Sequence, residues 1–391
     1  LSDFIRADAD RTPVVIAARR TPITRAGGAL ASLQVHELLA PVLGAVAADA
    51  AIAPPDISDV IAGNAAGGGG NLARLALLSA GFPVSVPGLT VDRQCGSGLD
   101  AVLLAARLVA GGAGGIFLAG GAESISTAPA RAHRLPDGSL EFYDRARHAP
   151  PEIGDPEMGE AAENVAEHYG IGRERQDAFA LRSHRLAAAA ADAGAFAGEL
   201  VPLTIAGRRV EEDDGARRRM SAQLLARFPA AFRSGGTVTA GNSCGFSDGA
   251  AAVAVTSVAQ ARRLGATEGL VFVDGGSAGV DPNLLGVGAA AAAERFAGPD
   301  AVRAAGFMEF NEAFAAQVLA SLDLLGVDPD RVNREGGALA LGHPYGASGA
   351  VLVTRLFHQA RRATAHGDLA LALVSGAGGL GTSVLFRWER F

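Results

Sequence analysis

Hydrophobic residues follow two rhythms along this chain. Short apolar runs recur, among them VVIAA at 14–18, DVIAGNA at 59–65, IFLAGGAES at 116–124 and LALAL at 369–373. Bounded by glycine and polar clusters, such runs predict buried strands. Between them lie alanine-rich stretches with leucine and valine at helical spacing. HELLAPVLGAVAADA at 36–50 is the plainest and predicts a helix. The final residues, TSVLFRWERF, alternate like a closing strand. Strands alternating with helices predict an α/β fold with buried sheets.

The middle of the chain breaks the rhythm. Residues 125–245 hold most of the charge clusters, such as RRVEEDDGARRR, and one amphipathic helix over 173–193. The alternation resumes near 246. The outer parts also echo each other: RQCGSGLDAVLLAARLV at 93–109 and GHPYGASGAVLVTRLFH at 342–358 each set a reactive residue and a glycine-serine turn before an apolar helix. The pattern predicts a first half at 1–124, an inserted surface domain at 125–245 and a similar second half at 246–391.

Composition then removes several chemistries. Hydrophobic residues are 49% of the 391 and charged residues 19%, enough for a large core. All 34 basic residues are arginine, so no lysine can form a Schiff base, complete a P-loop or act as a base. The formal charge of −7 argues against a nucleic-acid partner. The two cysteines, Cys95 and Cys244, suit a reducing cytoplasm and give neither a disulfide framework nor a metal cluster. The N-terminal LSDFIRADADRTP has no apolar signal core. Residues 108–122 are too short and glycine-rich to cross a membrane and read as a core strand.

Three glycine motifs compete for attention. Gly376-Ala-Gly378-Gly-Leu-Gly381 fits the dinucleotide fingerprint, but only ten residues follow, with no room for its helix and acidic partner. A glycine turn between two strands fits better. GGSAG at 275–279 matches the hydrolase elbow, yet Pro282 opposes the helix that motif needs. GNAAGGGGNLAR at 63–74 either cradles phosphate or forms a close-packed backbone loop, and the lack of lysine favours the loop.

Other residues carry more chemistry. Cys95 ends an extended segment where a helix begins, and the partial positive charge of a helix N-terminus stabilises a thiolate. The alternative is inert core filling; the Cys-Gly-Ser-Gly context favours reactivity. His343 stands in the matching turn of the other half, placed either to deprotonate Cys95 or to stiffen a helix start beside Pro344. Asn311 either caps a helix or orients a water or oxyanion, with Glu312 beside it.

VDRQCGSGLDAV, GTVTAGNSCGFSDGAAA at 236–252, NEAFAAQ and GGALALGHPYGASGA together resemble thiolase motifs, in thiolase order and spacing. The resemblance runs from VVIAARRTP to the last strand. It implies two βαβαβαββ halves in a layered αβαβα arrangement with an inserted loop domain. It implies a homodimer or homotetramer acting on coenzyme A thioesters, with no bound cofactor. The activity implied is thiolysis of 3-ketoacyl-CoA or Claisen condensation. By resemblance Cys95 is the acylated nucleophile, His343 activates it, and Asn311 holds a water at the enolate. The N–H groups of Cys95 and of the turn at Gly376 and Ala377 form an oxyanion hole. Met158, Phe314 and Cys244 fall among the coenzyme A contacts, Cys244 where a serine is usual. Arg217 and Arg219 either meet the nucleotide phosphates or form a solvated surface cluster.

One departure stands out. Thiolases usually carry Cys-x-Gly-Gly-Gly-x-Gly near the C-terminus, and this chain has Ser375 in place of that cysteine. A thiol with a pKa of about 8.5 exchanges protons near neutrality, whereas a serine hydroxyl scarcely does. Glu157, where many thiolases have histidine, and Cys244 are candidate substitute bases. Three readings follow. The first is an active thiolase-type acyltransferase. The second is a decarboxylative condensation or heteroatom acyl transfer that needs no α-proton base. The third is a non-catalytic subunit, against which the intact Cys95, His343 and Asn311 argue.

Overall fold

A computed structural model describes residues 11–391, so most of the N-terminal stretch expected to lack a signal core, residues 1–10, lies outside the described residues. The apolar runs form β1 (Pro13–Arg20), β2 (Asp59–Gly63), β3 (Gly88–Val91), β4 (Ile116–Glu123), β5 (Ser247–Ser257), β6 (Glu268–Gly279), β7 (Phe307–Phe310), β8 (Leu369–Gly376) and β9 (Leu380–Arg390). They hydrogen-bond in the order β7-β8-β9-β6-β1-β5-β4-β2-β3. Strand β6 leads one side of this order, β6-β9-β8-β7, and β1 the other, β1-β5-β4-β2-β3, and the two strands join the halves through only two residue pairs, Val14–Val271 and Val15–Leu270. The strand placed by the sequence at the head of the second half, β5, lies antiparallel between β1 and β4.

The long helices are α1 (Val35–Asp49), α2 (Leu72–Ser79), α3 (Ser97–Gly111), α4 (Met158–His168), α5 (Arg173–Asp192), α6 (Gly288–Phe296), α7 (Ala315–Leu325) and α8 (Tyr345–Ala363). Read with β5, the first half follows the βαβαβαββ order. The second departs from it: no strand forms between α7 and α8, so β3 has no counterpart. The excursion between β4 and β5 carries α4, α5 and two small two-stranded hairpins.

Period-two alternation divides each strand between two cores. Val14 and Ala17 of β1, Val60 and Ala62 of β2, and Leu118 and Ala122 of β4 pack with α1 and α2. Val15, Ile61, Phe117 and Ala119 point the other way. They share one core with Ala370, Ala372 and Val374 of β8 and Val384, Phe386 and Trp388 of β9, around α3 and α8. Leu371, Leu373 and Leu385 turn out towards α6 and α7. The layers thus run helix, strand, helix, strand, helix, as expected, with α3 and α8 innermost.

Glycine lets those inner helices approach backbone to backbone. A Cβ on Gly98 would lie 2.6 Å from the Gly346 carbonyl oxygen, and one on Gly349 only 2.2 Å from the Leu99 nitrogen. On the neighbouring strand, a Cβ on Gly121 would stand 2.0 Å from the same Gly346 oxygen. No real side chain fits there. The first turns of α3 and α8 therefore touch, and two residues before each stand Cys95 and His343. Gly349→Ala should lower unfolding stability by roughly 1–3 kcal/mol, the usual cost of overpacking. Urea denaturation measures this, and an unchanged midpoint would contradict the contact.

Candidate active site

The chain enters α3 through a strained turn. Gln94 takes φ 52°, in the left-handed region that side chains seldom adopt. Asp92 Oδ1 accepts the Gln94 N–H at 2.7 Å, and Ser97 Oγ accepts the Arg93 N–H at 2.8 Å while donating to the Gln94 carbonyl at 2.6 Å. The turn holds Cys95 half-buried, with the Ala377 N–H and its own N–H facing the sulfur and favouring its charged form. Burial outweighs those donors, Glu123 and Asp92 add negative charge, and the thiol is pushed up to about 12. The helix terminus expected to favour a thiolate is overruled by desolvation, so the resting residue is a thiol.

His343 is buried and neutral, its pKa lowered by burial to about 3. Asn311 Nδ2 donates to Nε2 at 3.3 Å, and Nδ1 lies 2.6 Å from Ser348 Oγ. An amide nitrogen only donates, so Nε2 carries the lone pair and Nδ1–H donates to the serine. A neutral imidazole with that lone pair can accept a proton.

Asn311 follows β7 directly, and its N–H donates to the Leu373 carbonyl at 2.9 Å. The helix cap is Phe314, so Asn311 does not cap α7. A buried ion pair fixes its position: Glu309 on β7 accepts from Arg355 Nε at 3.0 Å and from Gln359 Nε2 at 2.8 Å, both on α8. The strand ending at Asn311 is thereby bound to the helix headed by His343. Glu312 accepts from Ser183 Oγ at 2.6 Å, Asn333 Nδ2 at 2.7 Å and Leu339 N at 3.1 Å. It is a clamp between α5 and the segment leading to α8.

At the C-terminal turn β8 ends at Gly376 and β9 begins at Leu380, without the helix a dinucleotide site requires. Gly378 and Gly379, at φ 78° and 77°, turn the chain back. Gly376 lies against the Cys95 turn, where an added Cβ would be 3.8 Å from the Cys95 nitrogen. Ser375 is buried, and its hydroxyl donates to the Gly286 carbonyl at 2.7 Å and accepts the Ala289 N–H at 3.0 Å. Its one proton is committed, so it ties β8 to the start of α6. The Gly-x-Ser-x-Gly match lies wholly inside β6, with Ser277 bonded to Asp100 at 2.9 Å. The loop at 63–74 does cradle an anion, the chain's own: the Ala65 and Ala66 N–H groups bind the Glu123 carboxylate.

Cys244 is half-buried near Cys95: burial, then the charge of Cys95, pushes its thiol up to about 12. Its N–H donates to the Ala313 carbonyl at 3.0 Å, beside Phe314. The Phe232 ring covers Gly159, next to Met158, and meets Phe314 edge-on at 6.0 Å. Met158, Phe314 and Cys244 thus belong to one neighbourhood. Glu157 does not join them. Its side chain is 73% exposed and paired with Arg145 at 2.6 Å, which removes it as a substitute base. Arg217 and Arg219 line a pocket of about 400 Å³ with Arg218, Met220 and Leu224. Arg218 is paired with Asp192, while Arg217 and Arg219 are exposed.

Two site residues escape a reading of the sequence. Tyr345 opens α8 with its ring edge-on to His343 at 5.0 Å and to Phe246 at 6.2 Å. Burial and the charges of Cys95 and Cys244 raise its phenol pKa, so it stays protonated. Its signal was a polar-tipped aromatic inside GHPYGASGA. Glu123, a carboxylate ending an otherwise apolar strand, was the other.

Residues 13–259 match the thiolase N-terminal domain and residues 266–388 the thiolase C-terminal domain. The chain belongs to the thiolase family. A Staphylococcus aureus protein that carries acetyl-CoA C-acetyltransferase VraB as a provisional name is 42% identical over 379 residues, 95% of this chain and 98% of its own. Its Staphylococcus epidermidis namesake is 42% identical over 386 residues, 97% and 99% of the two chains. The crystal structure of the Bacillus anthracis acetyl-CoA acetyltransferase matches with a TM-score of 0.88 at 35% identity, covering 96% of this thiolase and 98% of that chain. Among the described residues no helix is long and apolar enough to cross a membrane, and no His, Cys, Asp and Glu cluster is arranged to hold a metal.

A thiol held near 12 ionises progressively over the whole accessible range. Alkylation of Cys95 by iodoacetamide should therefore accelerate about tenfold per pH unit from pH 7 to 10. A plateau near pH 8.5 would contradict the burial-raised thiol.

Proposed function

We propose that this thiolase transfers acyl groups between coenzyme A thioesters through an acyl-enzyme on Cys95. The overall reaction is reversible thiolysis of a 3-ketoacyl-CoA or the matching Claisen condensation. One observation carries the reading: a thiol and a neutral imidazole, whose Nε2 lone pair takes only a long amide N–H from Asn311, stand at the touching starts of α3 and α8.

In the first half-reaction the Cys95 proton passes to His343 Nε2 as sulfur attacks the thioester carbonyl. The developing oxyanion takes the N–H groups of Cys95 and Ala377, the donors nearest the sulfur. Donors fixed in this way are worth roughly 3 kcal/mol each at the transition state. The imidazolium then protonates the departing coenzyme A thiolate. In the second half-reaction Asn311 stabilises the enolate oxygen of the other substrate, and His343 adds to this only while its Nε2 carries a proton. Met158, Phe314 and Cys244 flank the pantetheine arm, and Arg217 and Arg219 take nucleotide phosphates.

The committed hydroxyl of Ser375 favours a second reading of the step after acylation. A decarboxylative condensation or a transfer to a heteroatom needs no α-proton base, and Ser375 does not supply one. We also place the molecule in the cytoplasm as a homo-oligomer, and divide it into two halves with β5 closing the first. Strand β3 ends the sheet order, and Leu75, Leu78, Val84 and Leu89 near it are exposed, which suits a second copy.

Intact-mass measurement after incubation with acetyl-CoA should find one acetyl group, mapped to Cys95; no adduct would contradict the proposal. Acylation with acetoacetyl-CoA thiolysis supports the first reading, and acylation without it the second. Ser375→Cys should raise thiolysis about tenfold or more if the absent thiol limits the rate. The Arg217→Ala/Arg219→Ala pair should raise KM for acetoacetyl-CoA about tenfold and leave acetoacetyl-pantetheine unaffected. Equal effects on both substrates would remove the arginines from the phosphate site.

A further inference from the structure

Glu123 ends β4 and is 1% exposed, yet among the described residues no arginine pairs with it. Four N–H donors hold its carboxylate instead. Oε1 accepts from Asn64 Nδ2 at 2.7 Å and from the Ala66 N–H at 3.1 Å. Oε2 accepts from the Ala65 N–H at 3.0 Å and from the Gly346 N–H at 3.0 Å. Burial pushes the Glu123 carboxyl up, and the Ala65, Gly346 and Ala66 N–H groups pull it down; a protonated acid would turn an O–H against one of these donors, so the arrangement fits the ionised form. Such a carboxylate is not free to act as a base.

The donors come from both halves. Asn64, Ala65 and Ala66 follow β2, and Gly346 is the second residue of α8, three beyond His343. The register of the sheet gives this residue a mate. Asn64 follows β2 as Asn311 follows β7. Gly63 pairs with Gly121 on β4 and Phe310 with Leu373 on β8, so Glu123 and Ser375 occupy equivalent places. Each ties its strand to a helix N-terminus, Glu123 to α8 through Gly346 and Ser375 to α6 through Ala289. Only the Glu123 tie crosses from one half to the other, and it ends beside the catalytic imidazole.

We propose that Glu123 is a positioning residue for the Cys95 and His343 chemistry: its carboxylate sets the His343 turn of the second half against the first half and keeps a fixed negative charge beside the nucleophile. The proposal rests on the thiolase reading for its kinetic part. Its chemical part, the reactivity of Cys95 towards an alkylating agent, does not depend on any acyl substrate. The ionisable groups around Cys95 are Asp92 on its own segment and Arg93 there, paired with Asp100 of α3, Glu123 on β4, Cys244 before β5, and His343 and Tyr345 at the head of α8. Burial does most to hold the thiol protonated, and of these groups Glu123 and then Asp92 add negative charge to the same effect.

Glu123→Gln keeps the shape, removes the charge and turns an amide towards N–H donors. In acetoacetyl-CoA thiolysis by the full-length enzyme, kcat should fall about tenfold to a hundredfold with KM within about twofold. The pH profile of Cys95 alkylation by iodoacetamide should move to lower pH. Glu123→Asp, which keeps the charge but shortens the reach, should lower kcat and leave the profile in place. A purely structural strut would change the unfolding midpoint and leave the alkylation profile where it is; that result overturns the proposal. So does an unchanged kcat in the glutamine variant. Where the glutamine variant does not fold, Asn64→Ala removes a single donor and should lower kcat at least threefold without changing KM, and an unaffected kcat there overturns the proposal as well. If neither native nor variant protein performs thiolysis, the alkylation profiles alone decide, so the thiolase reading and this inference fail separately.

Discussion

Backbone contact between α3 and α8 is the constraint on which the site depends. Each helix is long and apolar, and each could pack at ordinary distance through larger side chains. Gly98, Gly346 and Gly349 remove those side chains at one level, and Gly121 removes one from the strand beneath. The helix starts then lie close enough for residues two positions upstream to share a pocket. Cys95 and His343 come from opposite halves of the sequence and cannot meet by local folding. The glycines are therefore as much a part of the chemistry as the thiol and the imidazole. The ion pair of Glu309 with Arg355 and the clamp of Glu312 then fix Asn311 against the same helix.

Burial decides the electrostatics of the assembled site. It raises both thiols and the Tyr345 phenol, and it lowers His343. These four groups are thus neutral at rest beside the fixed carboxylate of Glu123, and further charge appears only as the reaction proceeds. Fixed N–H donors suit such a site, because they stabilise transient oxyanions without any side-chain rearrangement. An ion pair at rest would instead have held the nucleophile and its base in charged forms that a dry pocket disfavours. Ser375 fits this picture as a strut. Its hydroxyl stabilises the Gly286–Ala289 corner and so anchors the start of α6.

Much of this was legible in the sequence. The strands at 14–18, 59–65 and 116–124 and the helices at 36–50 and 173–193 appear where apolar spacing put them, because those signals are local. The turns before α3 and α8 were marked by short runs of glycine and serine around one reactive residue. What escaped depends on distant partners. The hydroxyl of Ser375 is bonded to residues 89 and 86 positions away, and one donor of Glu123 lies 223 positions away. The Cys95 turn advertised an activated thiolate, yet its pKa is set by burial under segments far along the chain. Asn311 looked like a cap because it precedes a helical pattern, but α7 starts only at Ala315. Glu157 sat beside a family motif and still turned to solvent through a local pair with Arg145.

The most direct test is a crystal structure of the enzyme trapped after brief exposure to acetyl-CoA. The account predicts an acetyl group on Cys95 Sγ, its carbonyl oxygen within hydrogen-bond distance of the Cys95 and Ala377 N–H groups. Ser375 Oγ should still be bonded to the Gly286 carbonyl and the Ala289 N–H. An acetyl group on another residue, or a Ser375 hydroxyl swung away from both partners towards the acyl group, would contradict it.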